Sequence, residues 1–285
     1  MGNLKLKLKE QLTILIHIIA KIKNDDVVAL ASQLAYYLML SFFPFMLFLM
    51  TLVGFSQISS VEILEGLSVL LPKSILELTR STIKEIFDNQ YTGLLGISIL
   101  LMMWTAASAF KAVIKSINKA YNFKESRSFI KISIISMLGI LALALIIILT
   151  LAMLVFGNVI SEYIKNIKPF YKIILILWNI FRYAFIFIIM ILIFSTIYRF
   201  APAKKLTLKK VIPGAIFSTI GWVLISFAFS FYIDNFSNYS RFYGSLGAVF
   251  ILMTWLFLIS MIFILGVEIN FVIEEIKNKT YLSDI

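Results

Sequence analysis

The sequence contains no cysteine and a single histidine, His17. Disulfides, thiolate nucleophiles and thiolate metal sites are therefore excluded, and one histidine cannot supply a multi-histidine metal site. A Gly-rich phosphate loop, an HExxH motif and a serine nucleophile with an available histidine base are also missing from the sequence. We therefore expect no catalytic residues, no metal, no cofactor and no enzymatic activity.

Charged residues are scarce as well, at 14% of the chain, whereas 61% is hydrophobic and the mean hydropathy is +0.97. This is not the composition of a soluble protein. Six apolar stretches are each long enough to supply the roughly 20 helical residues that cross a bilayer. The predicted spans lie near residues 27–54, 92–110, 131–157, 171–198, 211–232 and 244–270. No Gly/Ser/Pro-rich linker separates them, so we predict an all-α integral membrane fold with six transmembrane helices in a single polytopic domain over residues 1–285.

The basic residues that give the net charge of +11 lie mainly on alternate connections between these spans. The two termini and the connections after the second and fourth spans hold more than twice as many Lys and Arg residues as the opposite connections. By the positive-inside rule, both termini are predicted to be cytoplasmic. Orientation and contact with anionic lipid explain the charge, so membrane lipids are expected partners and nucleic acid is not.

Two segments outside the spans have apolar residues at helical spacing. In residues 1–26 these residues alternate with lysines and no small-x-small cleavage site follows, which favours an amphipathic interfacial helix over a signal peptide. Asn24, Asp25 and Asp26 then offer polar capping groups where the first span begins. The outer connection 57–91 carries acidic residues between leucines and predicts one or two amphipathic helices.

Pro44 interrupts the first span. Because proline lacks an N–H, it frees the carbonyl of Leu40, which Ser41 or a neighbouring helix is expected to bind. The break is interpreted either as a packing kink or as a hinge that lines a substrate path together with Tyr36 and Tyr37. Small residues four apart predict close helix contacts at Ala31 and Ala35, Thr105 and Ala109, and Gly214 and Ser218.

Arg182 lies near the middle of the fourth span. Such a residue usually faces the protein interior or a wet cavity and pairs with a carboxylate or with carbonyls. Glu268, near the end of the sixth span, is the most deeply embedded carboxylate, and the alternative for Glu268 is that it snorkels to the inner interface.

The connection before the sixth span is rich in polar and aromatic residues. Those selected as site candidates are Tyr232, Asp234, Asn235, Tyr239, Arg241 and Tyr243. They are interpreted either as contacts to sugars or lipid headgroups, or as an aromatic belt with a well-bonded loop.

Several runs together resemble the YihY/BrkB family of bacterial inner-membrane proteins, which has often carried the label ribonuclease BN. The runs are Asp25 and Asp26 followed by LAYYLMLSFFP (34–44), WTAASAFKAVIKSINKAYN (104–122), YRFAP (198–202), PGAIF (213–217), YIDNFSNYSRFYGSLG (232–247), Trp255, and LGVEIN (265–270). The resemblance covers nearly the whole chain and implies a six-helix fold in the bacterial inner membrane with cytoplasmic termini. The ribonuclease name looks like a misassignment, because no nuclease motif is present.

Buried polarity without catalytic chemistry favours a transporter or flippase-like protein that moves a lipid or another amphipathic envelope molecule, with Arg182, Pro44 and residues 232–243 near its path. The alternative is a non-catalytic scaffold that docks an envelope protein through residues 57–91 and 232–243. A ribonuclease is the third hypothesis. No motif specifies the substrate, the direction, the energy source or the oligomeric state.

Overall fold

The computed structural model of this chain describes residues 16–54, 76, 80, 94–139, 171–236 and 246–283. The described residues form seven helices and contain no β-strand. The helices are α1 (16–24), α2 (Val27–Gly54), α3 (Leu94–Ala120), α4 (Phe129–Gly139), α5 (Tyr171–Phe200), α6 (Leu208–Phe236) and α7 (Leu246–Ser283). The predicted all-α class is therefore confirmed for the part of the chain that the structure describes.

Within the described residues, three helices are long and apolar enough to cross a bilayer. They contain the stretches Lys172–Phe200, Leu208–Ile233 and Val249–Asn278, which are 29, 26 and 30 residues long. These stretches match the fourth, fifth and sixth predicted spans. In α2, which has the bounds predicted for the first span, the described apolar stretch Val27–Phe42 is shorter than a full span.

Two helices continue beyond the ends of the predicted spans, because helical structure is kept where the apolar run stops. The second span was expected to end at residue 110, but α3 continues to Ala120, and Ile117 and Ala120 in its charged last turns are fully buried. Likewise α7 continues beyond residue 270 to Ser283.

Some predicted segments lie outside the described residues. They are residues 140–157 of the third predicted span, residues 1–15, and the segment 57–91 apart from Leu76 and Arg80.

The helices α2 and α7 form the centre of the described bundle. α2 packs on α3 and α7, and α6 packs on α5 and α7. A larger core joins residues of α2, α3, α5, α6 and α7, and a smaller one joins Ala35 of α2 with Phe229 of α6 and Leu252 and Trp255 of α7. α2, α6 and α7 contribute to both cores and so connect the two ends of the bundle.

Two of the three predicted small-residue pairs, Ala31 with Ala35 and Gly214 with Ser218, lie at helix contacts. Ala31, Ala35 and Ala109 are buried, and Thr105 donates a hydrogen bond to the carbonyl of Leu101 in its own helix. Gly214 and Ser218 face α7, where a Cβ on Gly214 would overlap the carbonyl oxygen of Gly266. Close approach of two helix backbones at small residues is a common packing mode in membranes.

The outer surface of the bundle is apolar rather than charged. Trp104 is 77% exposed and Phe227 is 75% exposed, and α5 exposes a run of isoleucine, leucine and phenylalanine side chains along its outer face. Lipid tails accept such side chains and water does not, so this surface is suited to a bilayer.

Candidate functional site

Four segments meet at one end of the bundle, which we call the junction. They are the turn between α1 and α2 (24–27), the connection between α3 and α4 (121–128), the connection between α5 and α6 (201–207), and residues 263–274 of α7. α2 and α6 begin at this end, and α3 and α5 end there. Most polar contacts between separate helices in the described structure lie at or near the junction.

Lys21 connects three helices at the junction. Its Nζ donates hydrogen bonds to Asp25 Oδ2 at 2.5 Å and to the carbonyl of Ala120, the last residue of α3, at 2.9 Å. The same Nζ lies 3.9 Å from Glu268 Oε2 and 4.3 Å from the centre of the Phe271 ring, both in α7. One ammonium group therefore holds α1 against α3 and α7.

Glu268 is fully buried, with 0% of its surface exposed. Neither carboxylate oxygen accepts a hydrogen bond from any residue that the structure describes. The alternative in which Glu268 snorkels to the interface is therefore wrong. The physical reason is that α7 continues past this position and Lys21 of α1 lies against the carboxylate, so the side chain is covered in the folded protein.

The prediction that the side chains of Asp25 and Asp26 cap α2 is wrong. Asp25 is 7% exposed and pairs with Lys21, whereas the exposed Asp26 pairs with Lys119 of α3 at 3.1 Å. The backbone turns sharply here, with φ of 51° at Asp26, and the Asp26 carbonyl accepts the hydrogen bond from the Leu30 amide that begins α2. This turn places both carboxylates beside lysines instead of beside the first amides of the helix.

A second set of buried hydrogen bonds joins α5, α6 and α7. The Tyr198 hydroxyl donates to the carbonyl of Phe263 at 2.7 Å and lies 2.7 Å from Ser218 Oγ. The Asn270 side chain bridges the backbone of α6, because Oδ1 accepts from the Gly214 amide at 2.6 Å and Nδ2 donates to the carbonyl of Val211 at 3.2 Å. These bonds flank Pro213, which cannot donate a helical hydrogen bond of its own.

Hydrogen bonds join the end of α3 and the connection after it to the connection after α5. Asn118 donates to Glu125 Oε2 at 2.8 Å and accepts from the Ala203 amide at 2.7 Å. Arg127 binds both oxygens of Glu125, at 2.7 and 2.6 Å, and also donates to the carbonyl of Ala201 at 3.0 Å. The hydrogen bond from Arg127 lowers the pKa of Glu125 to about 2.

This shift predicts that Glu125 stabilises the protein only when it is ionised. A carboxyl whose pKa is lowered by folding contributes stability above its unfolded pKa, and the contribution is lost as the pH falls toward the folded pKa. We expect Glu125→Gln to lower the thermal unfolding midpoint in detergent at neutral pH, and the difference from wild type to shrink between about pH 4.5 and pH 2. The control is Lys124→Gln, an exposed neighbour. A pH-independent difference would contradict the assignment.

Arg182 is buried, at 8% exposed, but it is not near Glu268. Tyr198 of the same helix contacts Phe263 of α7 at the junction, and Arg182 lies sixteen residues earlier, or about 24 Å along the helix axis. The two charges that looked like candidate partners in the sequence therefore lie in different halves of the bundle.

The candidates around the proline in α2 have mixed environments. Pro44 lies inside an uninterrupted helix and is half-buried. Ser41 is buried, and its hydroxyl donates to the carbonyl of Leu38 at 2.9 Å, because a serine side chain reaches back three or four residues along its own helix. Of the two partners predicted for the Leu40 carbonyl, Ser41 or a neighbouring helix, the first is therefore wrong. Tyr36 is exposed and Tyr37 is half-buried, with their rings 5.5 Å apart.

The candidates before the sixth span are only partly described. Tyr232 and Asn235 are exposed near the end of α6, and Asn235 donates to the carbonyl of Phe231 in its own helix at 2.8 Å. Asp234 is placed in α6 by its backbone. The remaining three, Tyr239, Arg241 and Tyr243, lie outside the described residues.

Sequence reasoning missed Lys21, Tyr198 and Asn270. Lys21 precedes Asp25 by four residues, and this helical ion-pair spacing was the available signal. Tyr198 and Asn270 stand in the runs YRFAP and LGVEIN, which were noted only for their resemblance to a family.

A bundle of helices with an apolar outer surface and a buried charged end defines the class of helical integral membrane proteins. The family profile described as virulence factor BrkB matches residues 18–283, and the chain belongs to this family.

Among relatives, the chain is 35% identical over 247 residues to "Putative ribonuclease-like protein YfkH" of Bacillus subtilis (strain 168), covering 87% of this chain and 90% of that protein. It is 26% identical over 261 residues to a "UPF0761 membrane protein" of Pseudoalteromonas atlantica, covering 88% of this chain and 83% of that protein. A UPF0761 membrane protein of Alteromonas mediterranea is 23% identical over 281 residues, covering 92% and 88%. No solved structure matches.

Proposed function

We propose that the protein is a six-span transporter or flippase of the bacterial inner membrane, with both termini in the cytoplasm, and that it moves a lipid or another amphipathic envelope molecule. The observation that carries this proposal is the burial of Arg182. It lies about 15 Å from the start of its apolar stretch, near the centre of a hydrocarbon core of about 30 Å. A guanidinium at this depth is costly and is usually retained for function.

Further polar side chains, Ser195 and Tyr198, are buried between Arg182 and the junction on the inward face of α5. Ile186, Ser195 and Tyr198 are buried on the same helix as Arg182, whereas the adjacent Phe181 and Tyr183 are exposed. The Ser195 hydroxyl has no hydrogen-bond partner among the described residues. We propose that a polar headgroup binds Arg182 and moves along this face while its acyl chains stay in the lipid.

The test is lipid movement in liposomes that contain the purified protein and fluorescent phospholipids. We expect the wild type to move at least one envelope lipid class, and Arg182→Gln to reduce the rate by about tenfold, the effect of roughly 1.4 kcal/mol on a barrier. Lys172→Gln, an exposed position on the same helix, is the matched control and is expected to behave as wild type.

Absence of movement for every lipid class would overturn the transport proposal. If a single envelope protein were then crosslinked to residues 57–91 or 232–243, the scaffold hypothesis would replace it. The ribonuclease-like name of the Bacillus subtilis relative is not carried over, because this sequence offers no nuclease motif. We propose that the protein is not an enzyme.

A further inference from the structure

Among the described residues, Glu268 lacks the close positive charge and the hydrogen bonds that a buried carboxylate normally requires. It is fully buried, and its only described ion-pair partner, Lys21 Nζ, lies 3.9 Å from Oε2. The same ammonium is 2.5 Å from Asp25, which is itself buried, and it also donates to the carbonyl of Ala120. Two buried carboxylates therefore share one ammonium, and that ammonium is positioned for Asp25.

The other charged groups around Glu268 do not supply the missing positive charge. Lys119, whose charge acts on Glu268, forms its ion pair with Asp26 at 3.1 Å. Farther along α7, Glu274 pairs with Lys210 of α6. With both carboxylates of the Lys21 cluster ionised, the buried groups would hold a net charge of −1, and uncompensated buried charge costs several kcal/mol.

Tyr121 adds a polar hydroxyl to the same region. It is buried, its ring stacks on Phe123 and meets Phe271 edge to face, and its hydroxyl has no hydrogen-bond partner among the described residues. Burial, followed by the negative charge of Glu274, raises the pKa of Tyr121, so the hydroxyl keeps its proton. Tyr121 is therefore a potential hydrogen-bond donor beside Glu268 but not a source of positive charge.

We propose that Glu268 is a proton-binding site of the junction, which holds one proton on its carboxyl group while Lys21 stays with Asp25. A proton removes the excess negative charge without needing the three or more ligands of a metal site, and the described residues contain no such group of His, Cys, Asp or Glu side chains. When the proton leaves to water, the Glu268 carboxylate competes with Asp25 for Lys21. The hold of α1 on the end of α3 then weakens.

Proton binding at Glu268 stands independently of transport, whereas its use to drive movement of a substrate rests on the function proposed above. If the protein transports, the proton on Glu268 is the ion that drives movement of the substrate, and α1 is the helix whose position depends on that proton.

The first test uses dicyclohexylcarbodiimide, which forms covalent adducts with protonated carboxyl groups in apolar surroundings. The full-length protein in detergent is treated at a series of pH values, and adducts are located by mass spectrometry. We expect an adduct on Glu268 that is lost as the pH rises, no adduct at this position in Glu268→Gln, and an unchanged adduct on Glu268 in the control Glu274→Gln.

Two results would overturn the proton site. One is the absence of an adduct on Glu268 at every pH in folded protein. The other is protection by Na⁺ but not by K⁺ at equal ionic strength, which would identify a sodium site. Because no transport is measured, an adduct on Glu268 together with immobile lipids would preserve the proton site and remove only the transport function.

A second measurement is independent of the reagent. Unfolding exposes Glu268 and releases its proton, so the thermal midpoint of the wild type is expected to fall with rising pH. Glu268→Gln imitates the protonated carboxyl in size and neutrality, so it is expected to fold and to lose this part of the pH dependence. Parallel pH curves for the wild type and the variant would contradict the proposal.

Discussion

Gly266→Ala is expected to prevent accumulation of folded protein. The added Cβ would overlap Ser218 Oγ and would lie 2.7 Å from the Tyr198 hydroxyl and 2.8 Å from the carbonyl oxygen of Gly214. These atoms belong to buried hydrogen bonds or to the backbone of α6, so the two helices must separate to accommodate the methyl group. Overpacking commonly costs about 1–3 kcal/mol, and the rigidity of this contact places the expected loss at or above the upper end.

The matched control is Gly221→Ala in the same pair of helices. A Cβ there would meet Ile262 Cγ2 at 2.8 Å and Cδ1 at 3.1 Å, and an isoleucine side chain can rotate away. We expect a cost below about 1.5 kcal/mol and near-normal yield. Size-exclusion profiles and thermal midpoints in detergent compare the variants. Equal behaviour of the two would show that the α6–α7 contact at Gly266 is not tight.

Lys21→Met is expected to cause a destabilisation of similar size for an electrostatic reason. The substitution keeps most of the side-chain volume but removes the ammonium that binds Asp25, Ala120 and Glu268. Removing one partner from a buried ion pair costs about 3–5 kcal/mol, because the remaining charge stays buried without compensation. The thermal midpoint in detergent should fall sharply, and α1 should become sensitive to protease.

Two further variants separate charge from packing. Lys23→Met, at an exposed position of α1, should leave the midpoint near that of the wild type. Adding Asp25→Asn to Lys21→Met should restore most of the stability, because the uncompensated Asp25 charge is then removed. If Glu268 carries a proton, the double variant is expected to restore this stability without any change at Glu268. A rescue that also requires Glu268→Gln would indicate an ionised Glu268, and full stability of Lys21→Met alone would contradict the role assigned to Lys21.

Hydropathy predicts the described helices well where they are uniformly apolar. α5, α6 and α7 appear as the fourth to sixth spans, and α2 has the predicted bounds of 27–54. The ends of α3 and α7 differ because packing sustains a helix through charged sequence, as the buried Ile117 and Ala120 show. A hydropathy profile detects the solvent that a segment prefers, and it does not detect the partner that keeps the segment helical.

The candidate site was only partly predictable for a related reason. Arg182 and Glu268 stand out because a charge in an apolar span is costly wherever it lies. Their actual surroundings depend on which helices meet, and sequence spacing does not encode the contact of Lys21 with Glu268 across nearly the whole chain. The Gly214 contact was predicted from its own helix, whereas its partners Gly266 and Asn270 carry no local signal that sets them apart from ordinary packing residues.

The contact between Lys21 and Glu268 also sets an order of events during synthesis. α1 emerges from the ribosome first and α7 last among the described helices, so the junction closes only after α7 has been synthesised. Until then, the Lys21–Asp25 pair, formed within α1 and its turn, holds the ammonium in place. A chain that stops before α7 keeps this end open and charged. Addition of α7 buries this end, so the junction distinguishes chains that contain α7 from chains interrupted before it.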